Sequence, residues 1–389
     1  MFNINSLKVF GIFLLVLFLN TTQKTNAQWT IMKSDADSLV TRGSDYIYDI
    51  KFDSARYCFN KVIEMYPEHP AGHFLDAMLE FWKISIFRNT TQYNETFLTK
   101  IDKVINLCDL LLDRNSSDLS ALFFKGGALG YRARFYSNNT EWLKAAYDGK
   151  EAYNIMQRCL VKAPGNHDIM LGTGIYNYFA DAIPEKYPLV KPLLTFMQSG
   201  DKKIGILQLK SSALYARYTE VEAKVTLMQL FYSFENNMNE ALYYSKMLFD
   251  KYPNNPYFHR YVGRVYVRMG EWDSLEVTWR SLVNRSLDKW TGYDNHAAKE
   301  GCYYVGLALQ RKGEYEKALK YLLKCDEIAR ASEKETSGFR TSALLKIGII
   351  YDQQNNRKKA VEFYKKVLEL KDIEGSHEKA NNYLKNPYK

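Results

Sequence analysis

The stretch PYFHRYVGRVYVRMGEW, residues 256–272, decides the fold. Proline is tolerated in the first turn of a helix, so Pro256 opens one. Gly263 then places a residue without a side chain in mid-helix. Two helix backbones can approach closely only where side chains are small, so Gly263 predicts a close crossing. Gly270 supplies a stop and a turn. The segment before it, NEALYYSKMLFDKYPNNP (239–256), has Ala241 at the matching contact of a second helix, Leu248 on the same face and Pro253 as the stop. Together they read as a helix, a tight turn and an antiparallel helix, repeated.

The same register returns elsewhere. Pro253 precedes Gly263 by ten residues, Pro164 precedes Gly174 by ten, and Pro67 precedes Ala77 by ten. Gly306 is followed twelve residues later by Ala318, Gly348 by Ala360 and Gly43 by Ala55. These units resemble the tetratricopeptide repeat family over most of residues 35–370. The resemblance implies an all-α superhelical solenoid, a concave groove lined by the first helix of each pair, and a binding rather than a catalytic role. Eight hairpins are expected, at roughly 35–67, 70–114, 118–163, 167–216, 219–252, 256–285, 292–330 and 335–370. A polar capping helix follows near 376–386.

The middle is less regular. Three prolines between Pro184 and Pro192 exclude a regular helix there, so residues 184–200 are expected to form an irregular insertion within a helical domain spanning 35–389. From about 118 to 250 the spacing of Gly127, Trp142, Gly174, Pro184, Gly205, Glu222 and Ala241 is similar to the tetratricopeptide repeat 39 and inclusion-body clearance group of scaffolding proteins. It is also similar to exported bacterial repeat proteins of unassigned role.

The N-terminus reads as an export signal. Lys8 supplies positive charge, Val9 to Leu19 is an apolar run, and Thr25-Asn26-Ala27 ends in a small residue suited to cleavage. Residues 1–27 are therefore expected to be removed, leaving a short linker at 28–34 and a product in the periplasm, at the cell envelope or secreted. The whole chain of 389 residues carries a net charge of +9. Losing Lys8 and Lys24 takes two charges away, from +9 to +7. That surplus is modest for so long a chain and gives no reason to expect nucleic acid.

Chemistry is sparse in the sequence. Leu171-Gly172-Thr173-Gly174-Ile175-Tyr176 contains part of a dinucleotide fingerprint, but position 177 is Asn and no strand precedes it. His69 and His73 could share a helix face, yet a metal needs a third ligand. No nucleophile elbow or paired catalytic carboxylate stands out, so no cofactor, metal or catalysis is expected. Cys302 and Cys325 sit at the open ends of two antiparallel helices and are a candidate disulfide.

Binding is the remaining function. Arg260, Arg264 and Arg268 recur every four residues, which puts three guanidinium groups in one helical stripe. Tyr257 begins the same face, and Arg311 lies on the comparable face of the next unit. Family geometry turns that face toward the groove. The stripe is a candidate clamp for an acidic peptide or glycan, set against an ordinary surface of internal salt bridges. The main expectation is an exported scaffold that holds a protein or peptide partner. The 30 tyrosines keep a glycan-binding or small-molecule-binding protein as the alternative.

Overall fold

The computed structural model describes residues 34–88, 90–187, 198–333 and 338–388. The export segment and most of the linker lie outside them. The described residues form 17 helices. They pair as α1 (Ser34–Tyr48) with α2 (Phe52–Met65), α3 (Pro70–Ile86) with α4 (Asn94–Arg114), α5 (Leu119–Asn138) with α6 (Trp142–Lys162), and α7 (His167–Lys186) with α8 (Lys202–Tyr215). The series continues with α9 (Glu220–Ser233) and α10 (Met238–Lys251), α11 (Pro256–Met269) and α12 (Trp272–Leu287), α13 (Asn295–Arg311) and α14 (Tyr315–Ser332), and α15 (Gly338–Gln353) and α16 (Arg357–Leu368). A single helix, α17 (Ser376–Lys385), closes the stack. The architecture is the expected solenoid of eight hairpins and a cap.

Local chemistry explains where these helices begin and end. The Asn255 side chain accepts from the backbone N–H of Tyr257 and Phe258, Pro256 fills the first position, and Gly270 ends the helix at φ 72°. These satisfy backbone groups that a helix terminus leaves orphaned. The glycine contacts are steric. A Cβ on Gly263 would lie 2.6 Å from the Trp279 ring, and one on Gly348 would lie 2.5 Å from the Tyr364 ring. In both hairpins the large side chain stands sixteen residues after the glycine it covers.

Pro184 corrects one expectation. It lies inside α7, which continues to Lys186. A proline in the last turn forfeits one hydrogen bond near an end that is about to stop, so the helix tolerates it. Tyr187 and residues 198–200 of the expected insertion are non-helical, and residues 188–197 lie outside the described ones. Gly172 and Gly174 are also within α7. Gly174 faces Gly205 and Leu209, so its glycine serves helix contact rather than a phosphate cradle.

Each helix packs on the next, and the first helices of successive hairpins also touch, as α1 on α3, α3 on α5, α11 on α13 and α13 on α15. One further contact changes the architecture: α11 of the sixth hairpin meets α3 of the second. The solenoid has turned back on itself. Asn255 Nδ2 donates to the Tyr48 carbonyl at 2.8 Å, Tyr252 donates to Asp45 at 2.6 Å, and Asn254 to Asp49 at 2.9 Å. Arg217 and Tyr218 both bond Asp37.

Closure fills the interior of this turn. Trp82 packs against Tyr48, Tyr257 and Phe258 with ring centroids 5.3, 5.9 and 5.7 Å away. The buried Glu222 accepts from Trp82 Nε1 at 2.8 Å and from the Tyr48 hydroxyl at 3.1 Å. One apolar cluster runs from Ile47 through Trp82 and Leu209 to Phe258, joining hairpins far apart in sequence. A separate cluster, from Leu275 to Ala380, serves the last hairpins and the cap.

Candidate binding surface

The arginine stripe forms on α11, but two of its members are already engaged. Arg260 is buried, and its Nη2 reaches Glu300 Oε2 at 2.8 Å. Arg264 holds the same carboxylate with two bonds, Nε to Oε1 at 2.6 Å and Nη2 to Oε2 at 2.9 Å. Burial pushes the Glu300 carboxyl up, yet the two guanidinium groups outweigh it and hold it below the ordinary range. The forks that the sequence offered to a ligand are thus largely filled by an acid on α13. This corrects the reading of Arg260 and Arg264 as open clamp residues: burial of Glu300 demands paired cations, and these two supply them.

Arg268 and Arg311 differ. Arg268 is exposed and donates to the Tyr232 carbonyl and to Asn236 Oδ1, both neutral. Its guanidinium also stands 4.8 Å from the Tyr232 ring centroid. Arg311 is exposed over the Trp272 ring at 5.1 Å. Tyr257 is buried, and its hydroxyl accepts from Gln229. Beside Arg268 lies a cleft of about 570 Å³ lined by Glu235 to Asn239 and Met269.

Several neighbours escaped the sequence reading. Glu300 occupies the register of Tyr257 one hairpin later, six residues before the close-contact glycine, and could have been found by that comparison. Arg88, at 5.7 Å from the Tyr257 ring, could not, because it arrives only through closure of the turn. Tyr261 stands 5.1 Å from Tyr257 and 5.6 Å from Tyr232 by ring centroids.

On α13, Tyr303, Tyr304, Leu307, Gln310 and Arg311 form one stripe at helical spacing, and none is buried. The opposite sides of α13 are occupied by α11, α12, α14 and α15. Gln310 bonds Gln353 of α15 at 3.1 Å. The stripe is partly exposed: Tyr303 and Tyr304 pack on Phe339 of α15, and Arg311 at its end is open to solvent.

The other candidates resolve into structure. His69 Nδ1 accepts from Ala71 N–H at 3.2 Å, capping α3, and His73 Nε2 meets the Pro67 carbonyl at 2.9 Å. Both rings are spent, and no group of three metal-binding side chains occurs among the described residues. His69 Nε2 lies 3.0 Å from Ser120 Oγ, in a cleft of about 340 Å³. Because Nδ1 accepts the cap bond, Nε2 carries the proton and donates to Ser120. A base needs the opposite polarity. Cys302 and Cys325 are free, buried thiols, with no bond between them. Cys325 Sγ faces the Phe339 carbonyl at 3.8 Å, and burial pushes the Cys302 thiol up to about 12.

One sequence comparison agrees with the fold of the last hairpins. Residues 300–372, covering most of α13 through α16, match the sequence profile described as Tetratricopeptide repeat. The human IFIT1 dimer with m7Gppp-AAAA superposes with a TM-score of 0.40 at 14% identity, over 82% of this chain and 68% of that one. The Pseudomonas aeruginosa pilF structure superposes with a TM-score of 0.42 at 12% identity, over 66% of this chain and 96% of that one. Neither superposition carries a function across. No curated protein matches the chain. No described helix is long and apolar enough to cross a membrane. Residues 300–372 are tetratricopeptide repeats, and they form the last part of an all-α solenoid of paired helices.

Proposed function

We propose that this chain is an exported scaffold or adaptor that holds a protein or peptide partner on the inner face of its last three hairpins and performs no chemistry of its own. The observation that carries this reading is the contrast between the two inner faces. In the first turn the inner side chains, Tyr48, Trp82, Glu222 and Phe258, are buried against one another. On α13 the stripe from Tyr303 to Arg311 stays partly exposed, most of all at Arg311. Aromatic, aliphatic, amide and guanidinium groups together suit a peptide chain, which offers apolar and polar surface in alternation. Export rests on the apolar run Val9 to Leu19 and the small Ala27 of the sequence.

Photocrosslinking in the native cell tests both parts. A photoreactive residue at Leu307 should capture a protein in the envelope or secreted fraction. The same group at Lys358, exposed on α16, should not. Capture from Lys358 alone, or from a cytoplasmic fraction alone, would remove the proposal.

A further inference from the structure

Around α11 the positive charges outnumber their partners. Two guanidinium groups, Arg260 and Arg264, share the single carboxylate of Glu300. Arg268 bonds only neutral oxygens, and Arg88 makes one long contact, 3.5 Å to the Ser85 carbonyl. Among the described residues neither Arg88 nor Arg268 has an ion-pair partner. The nearby acids are otherwise engaged. Glu235, in the cleft beside Arg268, accepts from the Tyr178 hydroxyl at 2.6 Å, and Glu222 takes Tyr48 and Trp82. The excess is felt locally. Burial, with Arg260 and Lys299 beside it, pushes the His296 ring down to about 4, so that it stays neutral.

The unpaired cations are not scattered. Arg88, Tyr257, Tyr261, Tyr232 and Arg268 follow one another at 5.7, 5.1, 5.6 and 4.8 Å, guanidinium to ring and ring to ring. The tyrosines come from α9 and α11, whereas Arg88 follows α3. Arginine over tyrosine is a well-matched pair, since each guanidinium rests on a ring face; Arg88 keeps both Nη groups for a carboxylate, and Arg268 keeps the N–H groups not given to Tyr232 and Asn236. Two exposed cations at the ends of an aromatic row thus define a polar–apolar–polar strip.

Accepting that the inner face binds a peptide, as proposed above, we infer that this strip selects an acidic segment, with carboxylates at Arg88 and Arg268 and the intervening chain over Tyr261 and Tyr232. The strip exists only because the turn closes, which brings the end of α3 to α11. It joins the α13 stripe through the Arg264–Glu300 pair.

The test uses the full chain and a fluorescent peptide of alternating Glu and Ser, with a Gln and Ser peptide of equal length beside it. The acidic peptide should bind roughly tenfold tighter or better, and more weakly as salt rises. Arg88→Gln with Arg268→Gln should remove most of that preference, roughly tenfold, while Lys358→Gln should not. Both arginines are exposed, so the double variant should keep its helical circular dichroism and melting temperature. Equal binding of the two peptides overturns the inference, as does acidic binding indifferent to the double variant. A sulfated oligosaccharide that needs both arginines where the acidic peptide does not bind would also overturn it. A partner captured through Leu307 that lacks any acidic segment would sink this inference and leave the scaffold reading intact.

Discussion

Glu222 and Glu300 are both buried carboxylates near the centre of a group of hairpins, yet they are neutralised in opposite ways. Glu222 is held by neutral donors, the Trp82 indole N–H and the phenols of Tyr48 and Tyr131, with Arg134 at 3.9 Å as an ion-pair partner. Glu300 is gripped by two guanidinium groups at 2.6 to 3.2 Å. The first sits inside a turn that has closed and filled its own groove. The second lies between the sixth and seventh hairpins, beside an α13 stripe that stays partly exposed. A buried charge answered by dipoles suits a permanent core. One answered by an excess of cations leaves positive potential at its margin, where a ligand could use it.

The sharpest way to break this comparison is to remove each charge alone. Glu300→Gln should cost about 3–5 kcal/mol in chemical denaturation, because the buried Arg260 and the half-buried Arg264 lose their counter-charge. Glu222→Gln should cost about 1 kcal/mol, since the amide oxygen still accepts from Trp82 or Tyr48. Equal losses would mean that the two sites are held alike.

Acid should then weaken the last hairpins through their histidines. The buried His259 ring stacks on Phe249 at 4.4 Å, and burial, with Arg285 nearby, pushes it down to about 3. A depressed histidine means that the unfolded chain binds more protons between pH ~6.5 and pH ~3. Stability from this ring is therefore intact above pH ~6.5 and falls as the pH drops, by about 2 kcal/mol at pH 5. His296 acts in the same direction. Hydrogen exchange at pH 5 and pH 7.5 should show protection lost first around α11 and α13. His259→Phe should reduce that pH dependence.

The smallest effect is expected at the rim of the closed turn. Asp37 is held below the usual carboxylate range by Arg217, against the opposing effect of burial and with help from Tyr218. Arg217 is largely exposed, so solvent screens the pair, and Asp37→Asn should cost less than about 1 kcal/mol. Faster exchange confined to residues 217–219 would show that the contact is a local fastener. A cooperative loss across α1 and α9 would show that it governs closure.

The hairpins were legible because their cause is local. A small residue, a large one sixteen positions on, and a proline or glycine at the turn leave a period that a single sequence displays. The hairpin ends read from that period lie within a few residues of those observed. Pro184 was misread because the rule against proline in helices weakens in a last turn. The arginine row was visible, but its partner Glu300, 36 and 40 residues away on another hairpin, shows only when the registers of the two hairpins are compared. Closure left no trace at all in the period. Asp45, Tyr48 and Asp49 meet partners 205 and 207 residues later, and nothing in their spacing marks them.

Those distant bonds bear on how the chain is made. An open stack can settle hairpin by hairpin as it leaves the ribosome or a translocation pore, because each unit needs only its neighbour. Here the first hairpin finds its last partners at Asn254 and Asn255, so the N-terminal quarter must wait, incompletely sealed, until two thirds of the polypeptide has emerged.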